Sequence, residues 1–278
     1  MRKHKILSVI ICISLVITGM IFSSDAYALA EGVDEIPEEV LNARSGVVHV
    51  YLLFYDNEGR LIAFNSGAGI MTAGATLVDD SFPDNWNCVL TSLGSVDPTK
   101  MTVGYGSYKI VVVADGEVYS VKDVAGLPDK NQDLALLIMN ERIQNRNAIG
   151  LEQIKHLKEG EAVYALGFPE PSDPYVPGYE SYENEESIET GEILELNHVD
   201  TGVTYIQSNL RTRRNIIGGA LVNSDGHLVG MISSYNGTKG NLAITCDDIF
   251  DFLDTANMPI ALAPEYDFPD TANTVPLK

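Results

Sequence analysis

The sequence predicts an all-β fold of sandwich or barrel type. Short runs of alternating apolar residues recur at spacings of roughly 8 to 15 residues, and the intervals between them are rich in Gly, Asn and Asp. Only one segment, near the C-terminus, carries a convincing helical pattern.

In chain order, Pro37 opens a short helical turn. Val48, Val50, Leu52 and Phe54 then alternate with Val47, His49, Tyr51 and Leu53, and Asp56-Asn57-Glu58-Gly59 turns the chain into Leu61-Ile62-Ala63-Phe64, which is a hairpin. The same grammar returns at 88–91, 109–113, 118–121, 134–138, 162–166, 188–196, 203–207, 220–222, 228–233 and 242–245. The helix follows, with Asp247-Asp248 expected to cap and charge the start of Ile249-Phe250-Asp251-Phe252-Leu253. Residues 259–278, dotted with Pro264, Pro269 and Pro276, read as a tail without fixed structure. No period of 20 to 50 residues recurs, which argues against a solenoid or propeller.

The N-terminus reads as a secretory signal. Arg2, Lys3 and Lys5 precede an apolar run from Ile6 to Phe22, and small residues follow at Ala26, Ala28 and Ala30. The expected signal is residues 1–30, with cleavage after Ala28 or Ala30, leaving no stable membrane span and a secreted or cell-envelope protein. The chain of 278 residues has 39 acidic and 18 basic side chains, a net charge of −21. A field of that sign repels phosphate and argues against a nucleic-acid partner.

Neither C-x-x-C nor H-E-x-x-H occurs, and His49, His156, His198 and His227 are scattered, so no metal or cofactor is expected. The stretch Asp129-Lys130-Asn131-Gln132-Asp133 begins like a calcium loop, but Leu134 stands where that loop needs Gly and Asn140 where it needs Glu. Cys12 lies in the signal. The other two cysteines, Cys88 and Cys246, read either as a disulfide or as two small buried hydrophobes.

Seven segments in order carry a family resemblance: Gly67-Ala68-Gly69-Ile70, Val89-Leu90-Thr91, Asp133-Leu134-Ala135-Leu136-Leu137, Gly160-Glu161-Ala162-Val163 with Gly167-Phe168-Pro169, Thr190-Gly191-Glu192-Ile193, Gly218-Gly219-Ala220-Leu221 and Asn241-Leu242-Ala243-Ile244. Over about residues 40–255 the chain resembles the trypsin-like serine peptidases, in particular the bacterial HtrA/DegP branch. The resemblance implies a trypsin-like double β-barrel with a C-terminal helix, in a domain of residues 31–258 with barrels at about 40–140 and 160–245. In that family the helix packs back on the first barrel, which would bring Cys246 towards Cys88.

The chemistry of the family needs a nucleophilic Ser, a His that takes its proton and an Asp that orients the imidazole. Family members carry the His in an L-T-x-x-H segment; here it reads Leu90-Thr91-Ser92-Leu93-Gly94, so Gly94 holds the base position. The nucleophile turn G-N-S-G-G-P reads Asn215-Ile216-Ile217-Gly218-Gly219-Ala220, so Ile217 holds the nucleophile position. Asp133 keeps the orienting position, and Ser233 matches the family's serine beside that Asp. Ile216 and Ile217, being β-branched, do not favour the strained backbone of such a turn. Ser208 and His227 are the nearest substitutes for a nucleophile and a base.

The floor of the specificity pocket falls, by the same resemblance, at Arg211, with Arg213 and Arg214 close behind. These arginines read as a peptide-binding site for a carboxylate, with an acidic peptide or protein as partner, or else as ion-pair partners of the loop holding Glu180, Glu183, Glu185, Glu186 and Glu189. That loop also holds Tyr175, Tyr179 and Tyr182, and reads as a recognition surface or a solvated insertion. The leading expectation is an inactive homologue, a pseudopeptidase that binds peptide or protein. A divergent active serine endopeptidase and a structural or adhesive envelope protein are the alternatives.

Overall fold

Closure of two small sheets, each on itself, organises the chain. A computed structural model describes residues 35–72, 88–102, 104–126, 132–168, 187–200, 202–210, 216–235, 241–256, 260–264 and 274–276. The first sheet holds β1 (Val47–Tyr55), β2 (Leu61–Met71), β3 (Cys88–Thr91), β4 (Ser107–Ala114), β5 (Glu117–Gly126) and β6 (Ala135–Met139), in the closed order β1-β2-β3-β6-β5-β4. The second repeats that plan with β7 (Ala162–Gly167), β8 (Ser187–Asp200), β9 (Val203–Ser208), β10 (Ala220–Val222), β11 (Leu228–Tyr235) and β12 (Asn241–Thr245), closed by pairing of β7 with β10. Closure leaves neither sheet with an open edge. The expected double β-barrel with a C-terminal helix is therefore the observed fold.

Period-two alternation fills each barrel. Val48, Val50, Met71, Val89, Val112 and Leu137 pack inside the first, and Val163, Ile193, Ile206, Leu221 and Val229 inside the second. The outward face of β1 is not wet. Tyr51 and Leu53 are each 1% exposed and cluster with Val111 and Val113, so both faces of this strand are buried. β2 runs well beyond Phe64, through Gly67 and Gly69. A side chain at Gly69 would sit 2.9 Å from Val50 Cγ2, so the glycine serves close packing within the barrel rather than a turn.

α1 (Glu38–Ala43) starts directly after Pro37, and a second short helix that the strand pattern did not signal, α2 (Leu93–Val96), follows β3. α3 (Cys246–Thr255) is the expected C-terminal helix, but its cap is Thr245, whose hydroxyl accepts from the Asp248 N–H. The expected capping pair sits inside the first turn, where Asp248 instead accepts from the Thr204 N–H at 2.9 Å and ties the helix to β9. Ile249, Phe250, Phe252 and Leu253 form the buried face. Each such side chain stabilises by roughly 1.5–3 kcal/mol relative to an exposed one.

The tail expected to lack structure carries two short strands, β13 (Ile260–Leu262) and β14 (Thr274–Pro276), paired in parallel. Leu151, in the linker between the barrels, bridges to both Leu228 and Leu262, and the Ala263 N–H donates to the Leu151 carbonyl at 2.9 Å. Main-chain bonds to the linker thus supply an order that proline content alone argues against. Among the described residues no helix is long and apolar enough to cross a membrane. Residues 1–34, which include the expected signal, lie outside the described residues.

Cys88 and Cys246 are both buried thiols and form no disulfide. The Cys246 thiol donates to the Leu228 carbonyl at 2.8 Å, so it faces the second barrel rather than the strand that carries Cys88. Burial pushes the Cys88 thiol up to about 12 and the Cys246 thiol well above its ordinary value. Neither is poised to form the thiolate that oxidation requires.

Candidate functional site

Asp133 lies in the short segment leading into β6, and its carboxylate is turned towards α2. It accepts the Ser92 hydroxyl at 2.7 Å and the Gly94 N–H at 2.7 Å, and the Ser233 hydroxyl of β11 at 3.3 Å. The Leu93 N–H also donates to the Asp133 carbonyl, at 3.4 Å. One residue therefore satisfies the first turn of α2 and links the first barrel to the second. Asp133, Gly94 and Ser233 meet as expected, with Ser92 as an additional member.

Gly94 lies close to Lys100 as well as to Asp133 and Ser92. A Cβ there would stand 3.0 Å from Lys100 Nζ and 3.4 Å from both Asp133 Oδ1 and Ser92 Oγ. Any side chain at this position would thus point beside Asp133, next to the tip of the exposed Lys100 side chain. The sequence reading passed over Lys100. Its signal was Asp97-Pro98, a capped turn in which Asp97 accepts from the Thr99 N–H at 2.9 Å and the Thr99 hydroxyl at 2.7 Å, folding the next residue back.

On the second barrel, Ile217 sits in a turn whose carbonyl accepts from the Ala68 N–H at 2.9 Å. Ile216, 2% exposed, packs on Gly167. The left-handed step falls at Gly218, with φ of +86°, and not at either isoleucine, which removes the conflict expected from their branching. Its N–H donates to the Ile232 carbonyl at 2.7 Å, and a side chain there would collide with the Ala68 carbonyl. The turn is wedged against β2, and α2 meets it there: a Cβ at Gly67 would stand 2.8 Å from Ser95 Oγ and 2.9 Å from the Ile217 carbonyl.

A family model for the trypsin-like peptidase domain matches residues 59–231, well over half of the chain. The chain belongs to the trypsin-like peptidase family. No curated protein matches it by sequence.

Within a trypsin-like peptidase domain, the remaining histidines are the substitutes to weigh for the base, and none of them is shown in contact with Asp133. His49 is 2% exposed, with Nδ1 3.1 Å from the Tyr51 hydroxyl and its ring stacked 4.8 Å from Phe168. Burial pushes it down to about 3, so it stays neutral. His198 lies 3.4 Å from Glu195 on the β8 surface. His156 lies 2.6 Å from Glu152 and His227 3.6 Å from the same carboxylate. Ser208, the alternative nucleophile, is 1% exposed at the end of β9. Among the described residues no three His, Cys, Asp or Glu side chains are placed to hold a metal ion. Arg211, Arg213, Arg214, Asn215, Glu180, Glu183, Glu185 and Glu186 lie outside the described residues, whereas Glu189 lies in β8, paired with Ala165.

Proposed function

We propose that the chain is an inactive trypsin-like peptidase homologue of the HtrA/DegP type, exported by its N-terminal signal, and that it acts by binding peptide or protein. One observation carries the reading. Asp133, the member of the triad that has no chemistry of its own, is bound to Ser92, Gly94 and Ser233, while Gly94 stands at the position of the base and Ile217 at that of the nucleophile. A glycine has no side chain to act as the base, and an aliphatic side chain cannot attack a carbonyl. What persists is the framework between two barrels on which this family lays an extended peptide.

The acidic-peptide specificity assigned to Arg211, Arg213 and Arg214 belongs to the same proposal and rests on their position in the sequence. The test is a fluorescence-polarisation titration with a degenerate peptide set containing acidic and neutral members, followed by mass analysis of the peptides. Saturable binding with intact peptides is the expected result. Cleaved peptides would establish the divergent endopeptidase instead, and neither binding nor cleavage would leave the structural or adhesive role. Export is checked separately, because N-terminal sequencing of protein from outside the cytoplasmic membrane that begins at Met1 would contradict removal of residues 1–30.

A further inference from the structure

We propose that Glu152, His156 and His227 form a proton-sensitive clasp that fastens the C-terminal segment to the linker between the barrels. Its centre is a carboxylate almost withdrawn from water: the Glu152 side chain is 6% exposed, with His156 Nδ1 at 2.6 Å from one oxygen and His227 Nδ1 at 3.6 Å from the other. The Gln153 N–H donates to it at 2.8 Å. His227 Nδ1 is buried and has no hydrogen-bond partner among the described residues. A buried carboxylate is costly unless a cation or several donors satisfy it, and each neutral imidazole offers at most one donor and no charge.

The charges around the clasp are mostly acidic. Lys155 and His156 lie on the linker and His227 on the β10–β11 hairpin. α3 contributes Asp247, with Asp248 and Asp251 close to it, and the Cys246 thiol feels both Glu152 and Asp247. Burial, with Asp248 and Asp251 adding to it, pushes the Asp247 carboxyl up. The backbone of Glu39, on α1, meets Gly226 in the hairpin. Acids outnumber Lys155 here, so protons added to the two imidazoles reduce a local excess of negative charge.

The main chain ties this side-chain cluster to the tail. The Glu152 N–H donates to the Leu228 carbonyl at 2.8 Å and the Leu228 N–H to the Gly150 carbonyl at 2.8 Å, while the Leu151 carbonyl receives the Ala263 N–H. Residues 150–152 therefore hold the hairpin on one side and the C-terminal segment on the other. When protonated, each imidazolium gains a charge-assisted contact with Glu152 and the junction tightens. With the imidazoles neutral that charge is lost and the segment loosens. The clasp stands independently of the peptide-binding proposal.

Residue-resolved amide hydrogen exchange at Glu152, Leu228 and Ala263, corrected for the intrinsic rate at each pH, tests it. Protection about tenfold greater at pH 5.5 than at pH 8 is expected, and the paired substitution His156→Gln with His227→Gln should reduce that ratio to below twofold. Unchanged protection in the wild type, or a ratio that survives the paired substitution, would overturn the proposal. Should the double variant not fold, the wild-type imidazole signals recorded over the same range decide the matter. Protection must follow their titration, and rings that titrate while protection stays flat would overturn the clasp equally.

Discussion

Replacing His49 by Gln should remove most of the acid sensitivity of the first barrel. The imidazole is buried between Tyr51 and Phe168, and desolvation lowers it from 6.5 to about 3. A histidine whose folded value lies below its unfolded one binds its proton first in the unfolded chain, so its contribution to stability is intact above 6.5 and is lost as pH falls towards about 3. Each pH unit in that window removes about 1.4 kcal/mol, so about 2 kcal/mol is lost by pH 5 and about 5 kcal/mol over the whole window. Against a typical total of about 5–15 kcal/mol that loss is large. The assay is urea unfolding of wild type and His49→Gln at pH 7 and pH 5. Subtracting one protein's pH effect from the other's cancels the remaining carboxylates and imidazoles. A double difference of about 2 kcal/mol, with the wild type losing more, is expected. Parallel pH dependences would refute the reasoning, whatever the absolute stability of the variant.

Asp133→Ala should cost about 1–3 kcal/mol, because the Ser92, Gly94 and Ser233 donors lose their shared acceptor, and an unchanged urea midpoint would show that Asp133 is dispensable to the fold. Gly218→Ala should lose about 1–3 kcal/mol or more, since φ of +86° is strained for any side chain and the new methyl meets the Ala68 carbonyl. A variant as stable as wild type would mean that the turn relaxes freely. Denatured, unreduced protein lacking residues 1–30 should titrate as two thiols, from Cys88 and Cys246, and none would show that the pair is oxidised after all.

The barrels were legible because their strands alternate on a two-residue period that no helix shares, and twelve such runs at short spacing leave few other solutions. The second half of β2 lacks the apolar alternation of its first half, because Gly67 and Gly69 bring no side chains and are there for close packing. The order of the tail leaves no mark on local composition, because β13 is held by the Leu151 backbone and β14 by β13, main-chain partners distant along the chain. At the site, Gly94, Asp133, Ile217 and Ser233 were readable because a motif fixes each position. Lys100 was not, because it enters the space over Gly94 from a separate turn. The burial of both faces of β1, which makes His49 acid-sensitive, was equally invisible, since alternation predicts one wet face.

We propose that Ile217 and Gly94 leave this trypsin-like peptidase domain without a nucleophile and a base. Intact-protein mass measured after incubation with a serine-directed fluorophosphonate, with an active trypsin-like peptidase as control, tests it most directly. The account predicts an unchanged mass for this chain and a complete adduct on the control. A stoichiometric adduct on the chain, mapped to any serine, would contradict it.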